Sequence, residues 1–155
     1  MGLWDKMKGA MNTLTGGGAE VTVEVGEATL GSSFEVVVTA KAKANIKFSK
    51  VYVDVKAIEW AEVRDVDYDF EDQQRRIEYV TGEYQTFKKQ FVLSNEGAME
   101  EGQVQSWRCE ISIPDSENPS FDCNMIAHRW LIMGALDTFG NDPDSGWLTF
   151  EVFDN

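Results

Sequence analysis

A two-residue rhythm constrains this chain more than any other feature. It starts at residue 20 and recurs almost to the end. Val21, Val23 and Val25 alternate with Thr22 and Glu24, and Phe34, Val36, Val38 and Ala40 alternate in part with Glu35, Thr39 and Lys41. Val51, Val53 and Val55 face one way, and Tyr52, Asp54 and Lys56 the other. Trp107, Cys109, Ile111 and Ile113 alternate with Arg108, Glu110 and Ser112. Successive side chains of a strand point to opposite faces, so this pattern puts one face in a core and one in water. A helix repeats every 3.6 residues and does not satisfy it.

Turn chemistry divides the rhythm into strands. Gly26-Glu27 is a turn, residues 94 to 103 form a polar loop, and Pro114 stops the strand before it. The segment Asn141-Asp142-Pro143-Asp144-Ser145-Gly146 is a turn by composition. Residues 122 to 137 predict one long strand with Ile126, His128, Trp130 and Ile132 on one face and a kink at Gly134. Trp147 to Phe153 predicts the closing strand. The strand from Phe48 continues through Ile58 and Trp60, where the alternation changes phase, as a bulge would make it do. Tyr84 to Leu93 predicts another strand. Residues 61 to 82 are charged yet still alternate through Val63, Val66, Tyr68 and Phe70, which leaves an exposed hairpin or a long loop. The expected total is seven to nine strands, an antiparallel β-sandwich.

The N-terminus reads differently. Leu3, Trp4, Met7, Ala10, Met11 and Leu14 recur at three- and four-residue spacing, the stripe of a short amphipathic helix, and Gly16, Gly17 and Gly18 form a hinge after it. The chain thus divides into residues 1–18, helix and hinge, and residues 19–155, the sandwich. So short a helix needs a surface to lie on. That surface is its own domain, another copy of the chain, or a membrane. Two lysines in front of an acidic body disfavour the membrane.

Length and charge bound the function. At 155 residues the chain fits one domain and builds a core without disulfides or metals. Its net charge is −13, of which residues 1–18 contribute 2 − 1 = +1. So acidic a body argues against nucleic acid, whose phosphates need clustered Lys and Arg. It favours a basic partner, a peptide or a cation. No apolar run approaches membrane-spanning length, and no signal-peptide pattern opens the chain, so a cytoplasmic protein is expected. Gly2 is present, but Lys6 stands where myristoylation expects Ser or Thr. Cys109 and Cys123 form no CxxC pair. Reduced core thiols are expected, with a mutual disulfide as the alternative.

Residue types and their spacing limit the chemistry open to this chain. Asp65, Asp67, Asp69, Glu71 and Asp72 crowd into one run, and Asp65, Asp67 and Asp69 superficially follow calcium-loop spacing. Phe70 stands where that loop needs glycine and Arg76 where it needs glutamate, so a solvated face is the better reading and no metal is expected. Glu71 and Asp72 are expected to pair with Arg75 and Arg76. Asp142 and Asp144, near Asp137, are explained by the turn they sit in. His128, the only histidine, is expected to be a hydrogen-bonded core or rim residue. Ser106, Ser120 and Cys123 lie in no nucleophile motif. Trp60, Trp107, Trp130 and Trp147 are expected in the core rather than as a carbohydrate platform. The expectation is no catalytic residue and no cofactor.

A strand ending in Ile113-Pro114, a polar linker to Asn118-Pro119-Ser120-Phe121, and a strand carrying Ile126 and Trp130 resemble the strand–linker–strand of arrestin-like domains. Trp130 to Asp137, Asn141-Asp142-Pro143-Asp144 and the closing Phe150-Glu151-Val152 are similar to the bacterial sporulation-control proteins of arrestin fold. Those proteins also open with a short apolar helix and a glycine-containing link, which Met1 to Val25 resemble. The resemblance implies an all-β, immunoglobulin-like, arrestin-like sandwich and a non-enzymatic scaffold or adaptor. Members of the family usually carry two sandwiches in tandem, and this chain has length for one. Binding modes that use the groove between two domains therefore carry over only if two chains associate.

The expected function is protein–protein interaction, with a protein partner or a second copy, through sheet edges or through Leu3, Trp4, Met7, Met11 and Leu14. A homo-oligomer is expected. The alternatives are a calcium- or carbohydrate-binding sandwich module and a hydrolase hidden among the acids.

Overall fold

The computed structural model describes residues 17–155, and every described segment of regular structure is a strand. In chain order these are β1 (Ala19–Val25), β2 (Ala28–Thr29), β3 (Ser33–Ala42), β4 (Ile46–Asp69), β5 (Gln74–Ser94) and β6 (Gly97–Met99). They continue with β7 (Val104–Ser112), β8 (Phe121–Asp122), β9 (Ile126–Thr138), β10 (Leu148–Phe150) and β11 (Val152–Phe153). The predicted helix and its residues Leu3, Trp4, Met7, Met11 and Leu14 lie outside the described residues.

Two antiparallel sheets face each other. One has the order β1-β3-β7, the other β10-β9-β4-β5, with β6 on the start of β4 and β8 on the start of β9. β11 crosses to pair in parallel with β2. The alternation read from the sequence is the alternation observed. Val21, Val23, Val36, Val38 and Ala40 of one sheet, and Val51, Val53, Val55, Trp130 and Ile132 of the other, belong to one buried cluster. Gly134 is explained by this packing. A Cβ there would lie 2.9 Å from Cγ2 of Val38 in the facing sheet, so glycine lets the layers close.

The outward face of β4 is also ordered. Tyr52 is buried and its hydroxyl donates to Asp142 Oδ2 at 3.0 Å, while Asp142 Oδ1 accepts from the Thr138 amide at 3.0 Å. Asp144 Oδ1 accepts from the Gly146 amide at 2.7 Å. Both aspartates therefore hold the turn that their composition announced. Burial, reinforced by the Asp142 hydrogen bond and carboxylate, raises the Tyr52 hydroxyl pKa above the ordinary tyrosine value.

Several expectations are corrected. The strand expected over residues 122 to 137 is two: β8 turns back at Cys123–Met125 and pairs with the start of β9, Phe121 opposite His128. Short pieces such as β2, β8 and β11 bring the described strands to eleven. Both cysteines are free, and Cys109 is half-buried and packs against the core, but Cys123 is exposed at that new turn and is no core thiol. Of the four tryptophans named above, only Trp130 is fully buried. Arg75 and Arg76 do not face Glu71 and Asp72. They stand across from Tyr68 and Asp67.

Candidate functional site

The feature that leaves the sandwich is the far half of the β4–β5 hairpin. β9 supports β4 from Phe48 to Ala61, where Ala61 meets Ile126. One further hydrogen bond, from the Glu62 amide to the Met125 carbonyl at 2.7 Å, ends that support. Beyond it β4 pairs with β5 alone, residue by residue, from Val63–Val80 to Asp69–Gln74. At about 3.3 Å per residue this arm reaches roughly 20–25 Å past the body. An isolated two-stranded ribbon is marginal in water, so the arm depends on its continuity with the sheet.

The root of the arm is built with care. The β4–β5 register shifts between Ala57 and Ile58, at the position where the sequence changed phase, and Thr86 is the extra residue. Its hydroxyl lies 2.9 Å from Nε2 of His128. Nδ1 of His128 lies 3.0 Å from the Pro119 carbonyl oxygen. A carbonyl only accepts, so Nδ1 carries a proton and donates to Pro119, while Nε2 meets the Thr86 hydroxyl, which also donates to the Ala57 carbonyl at 3.4 Å. His128 is 1% exposed, stacked on Phe121 at 5.9 Å and edge-on to Trp130 at 5.7 Å. The sole histidine thus ties the bulge, the 119–121 linker and the core together. The Trp130 indole N–H is satisfied by the Asn118 carbonyl at 3.0 Å, which pins the same linker.

The tip is a four-residue turn. Asp69 Oδ1 accepts from the Glu71 amide at 2.9 Å, and Gln73 takes the left-handed conformation with φ of 52°. Tyr68 and Phe70 meet edge to face at 5.1 Å.

Alternation sorts the arm into two unlike faces. On one, Asp65 opposes Glu78, Asp67 opposes Arg76 and Asp69 opposes Gln74. On the other, Arg64 opposes Tyr79, Val66 opposes Ile77 and Tyr68 opposes Arg75. Large apolar groups stay in water: Phe70 is 85% exposed, Tyr79 64% and Tyr68 54%. Two carboxylates directly across a ladder, Asp65 and Glu78, weaken the hairpin they sit on. Exposed aromatics and an unfavourable charge pair are expected of a surface shaped for contact rather than for its own stability.

Asp65, Asp67 and Asp69, weighed from the sequence as metal ligands, do share one face of β4. Asp69 is spent on the turn, and Asp67 faces Arg76. Among the described residues no three His, Cys, Asp or Glu side chains come close enough to hold a metal. Burial pushes the Cys109 thiol pKa up, which keeps it a poor nucleophile. Sequence reasoning left residues 61 to 82 as an exposed hairpin or a long loop, and the hairpin is what forms. Ile77, Tyr79 and Val80 were the signal, a β-rich run following the charged turn. No described helix is long and apolar enough to cross a membrane.

No protein-family model matches the chain, and no curated protein matches it. Among solved structures it is similar to Spo0M, a sporulation control protein from Bacillus subtilis, with a TM-score of 0.57 at 15% identity. The match covers 90% of this chain and 51% of that one, so the chain spans about half of Spo0M's length. The arrestin-like sandwich that the strand–linker–strand pattern resembled is the fold observed.

Proposed function

We propose that this chain is a non-enzymatic protein-interaction module, a scaffold or adaptor, that grips its partner through the β4–β5 arm. The observation that carries this reading is the arm itself: a ribbon that, among the described residues, pairs only through its own two strands, with Tyr68, Phe70 and Tyr79 in solvent. Aromatic side chains on a rigid projection are the anchors that protein interfaces use. The state of His128 supports the non-enzymatic part. Both ring nitrogens are engaged and the ring is buried, so it is not free to act as a base for Ser120 or Cys123. Ser120 is itself committed, its oxygen accepting from the Val152 amide at 2.9 Å. The name of the structural neighbour, a sporulation control protein, agrees with a regulatory rather than a metabolic role. In this reading the protein works in the cytoplasm, and Leu3, Trp4, Met7, Met11 and Leu14 supply a second, separate contact.

The test is to shorten the arm. Replacing residues 64–79 by Asn-Gly closes the ribbon with a two-residue turn between the paired Val63 and Val80. The shortened chain is expected to keep the circular dichroism and melting temperature of the sandwich and to lose the proteins that the full chain captures. An unchanged captured set would overturn the arm as the binding element.

A further inference from the structure

We infer that the arm's partner is a second copy of this chain, joined edge to edge along β5, with the two strands antiparallel and the two-fold axis at Tyr79. This rests on the reading of the arm as the binding element and names its occupant.

β5 is the last strand of its sheet, so among the described residues its outer N–H and C=O groups face no neighbouring strand. Such an edge is a template for another strand. Its two halves are treated differently. The body half carries Lys88 and Lys89 side by side and begins at the bulge, both devices that block edge pairing. From Gln74 to Gln85 there is no lysine, no proline and no bulge. The open stretch is therefore confined to the arm and its base.

A closed dimer of identical strands has one residue facing itself on the axis, and charge decides which. An axis at Glu78 sets that carboxylate against its twin. An axis at Ile77 sets Arg76 against Glu78 but leaves Arg75 against Tyr79 and turns the acidic tip at Glu71 towards Glu83, and one at Val80 sets the apolar Ile77 against Glu83. An axis at Thr81 leaves Arg75 and Arg76 opposite Phe87 and Thr86. An axis at Tyr79 sets Arg75 against Glu83 twice, Ile77 against Thr81 and Gln74 against Tyr84. It also brings the acidic turn of Glu71 and Asp72 beside the other copy's Lys88 and Lys89. Opposite charges meet at both ends, and the aromatic Tyr79 pair sits in the middle. The two ribbons become a four-stranded sheet, above the three strands that independent stability needs. The arm that is marginal alone is then stable in the pair.

The experiment uses the full chain with Cys109→Ser and Cys123→Ser. Tyr79→Cys is expected to oxidise to a disulfide-linked dimer, and Val80→Cys to do so several-fold more slowly. Arg75→Glu and Glu83→Arg are each expected to weaken the dimer by about tenfold or more in sedimentation equilibrium, and the double swap to restore it. Cross-linking by Val80→Cys as fast as by Tyr79→Cys, or a double swap no tighter than either single, would overturn the register. A full chain that sediments as a monomer throughout, or a dimer indifferent to shortening of the arm, would overturn the second copy as occupant. Capture of other proteins by the arm would survive that result, so the two readings fail separately.

Discussion

β4 runs through two environments, and its two halves obey different rules. Between Val51 and Ala57 the strand lies between β5 and β9 and against a facing sheet, and its alternate valines are fully buried. From Val63 to Asp69 it keeps the same partner, β5, but the face that carried valines now carries Val63, Asp65, Asp67 and Asp69, and even Val63 stands 60% exposed. Strand pairing is therefore not what buries a side chain. A second layer is. Where the facing sheet ends, paired strands continue, and the face that was a core becomes an acidic surface.

Paired substitutions probe this contrast, and the largest effect belongs to the body. Trp130 is 0% exposed, and Trp130→Ala is expected to cost about 3–5 kcal/mol of unfolding free energy by denaturant titration. A loss below about 1 kcal/mol would show that the facing sheets do not close on it.

Tyr52→Phe tests the outward face of the same strand. Removing the bond to Asp142 is expected to cost about 1 kcal/mol at neutral pH. The wild-type hydroxyl also links stability to pH. Its folded pKa is raised, mainly by burial, so its contribution is complete below the unfolded value of about 10. That contribution is lost as pH rises from there through the folded pKa. The variant is expected to show a flatter alkaline decline in melting temperature, and parallel declines would count against the buried, bonded hydroxyl.

The smallest effect belongs to the arm. Phe70→Ala, at a side chain 85% exposed, is expected to shift stability by less than about 0.5 kcal/mol. Together with Trp130→Ala it measures the contrast directly, because both remove an aromatic from one sheet. A cost at Phe70 approaching that at Trp130 would mean that the tip is packed.

Much of the body was legible without coordinates. Val21, Val23, Val36, Val38, Val51 and Val53 lie where period-two alternation put them, and a β4–β5 register shift falls after Ala57, though its extra residue, Thr86, is in β5 and not in β4. The errors came from contacts distant in sequence. Residues 122 to 137 read as one strand because the turn at Cys123–Met125 interrupts the alternation only briefly, and pairing of Phe121 with His128 is what makes it a turn. Gly134 read as a kink because its reason, the closeness of Val38, lies in the other sheet. The arm was legible as one of two readings, hairpin or loop. Val63, Val66 and Tyr68 marked an extended, exposed segment, but acids on one face and arginines beside aromatics on the other left no core face to fix a register.

By itself the order of amino acids determined that the chain would form strands, where turns would fall, and which side of each strand would be apolar. These are consequences of steric limits and side-chain direction within a few residues. The folded molecule decided which apolar sides found cover, which aspartates became turn supports, and that His128 would be locked at the root of a projecting ribbon. Those outcomes depend on what a distant segment places opposite each residue, and water is excluded only where two layers meet.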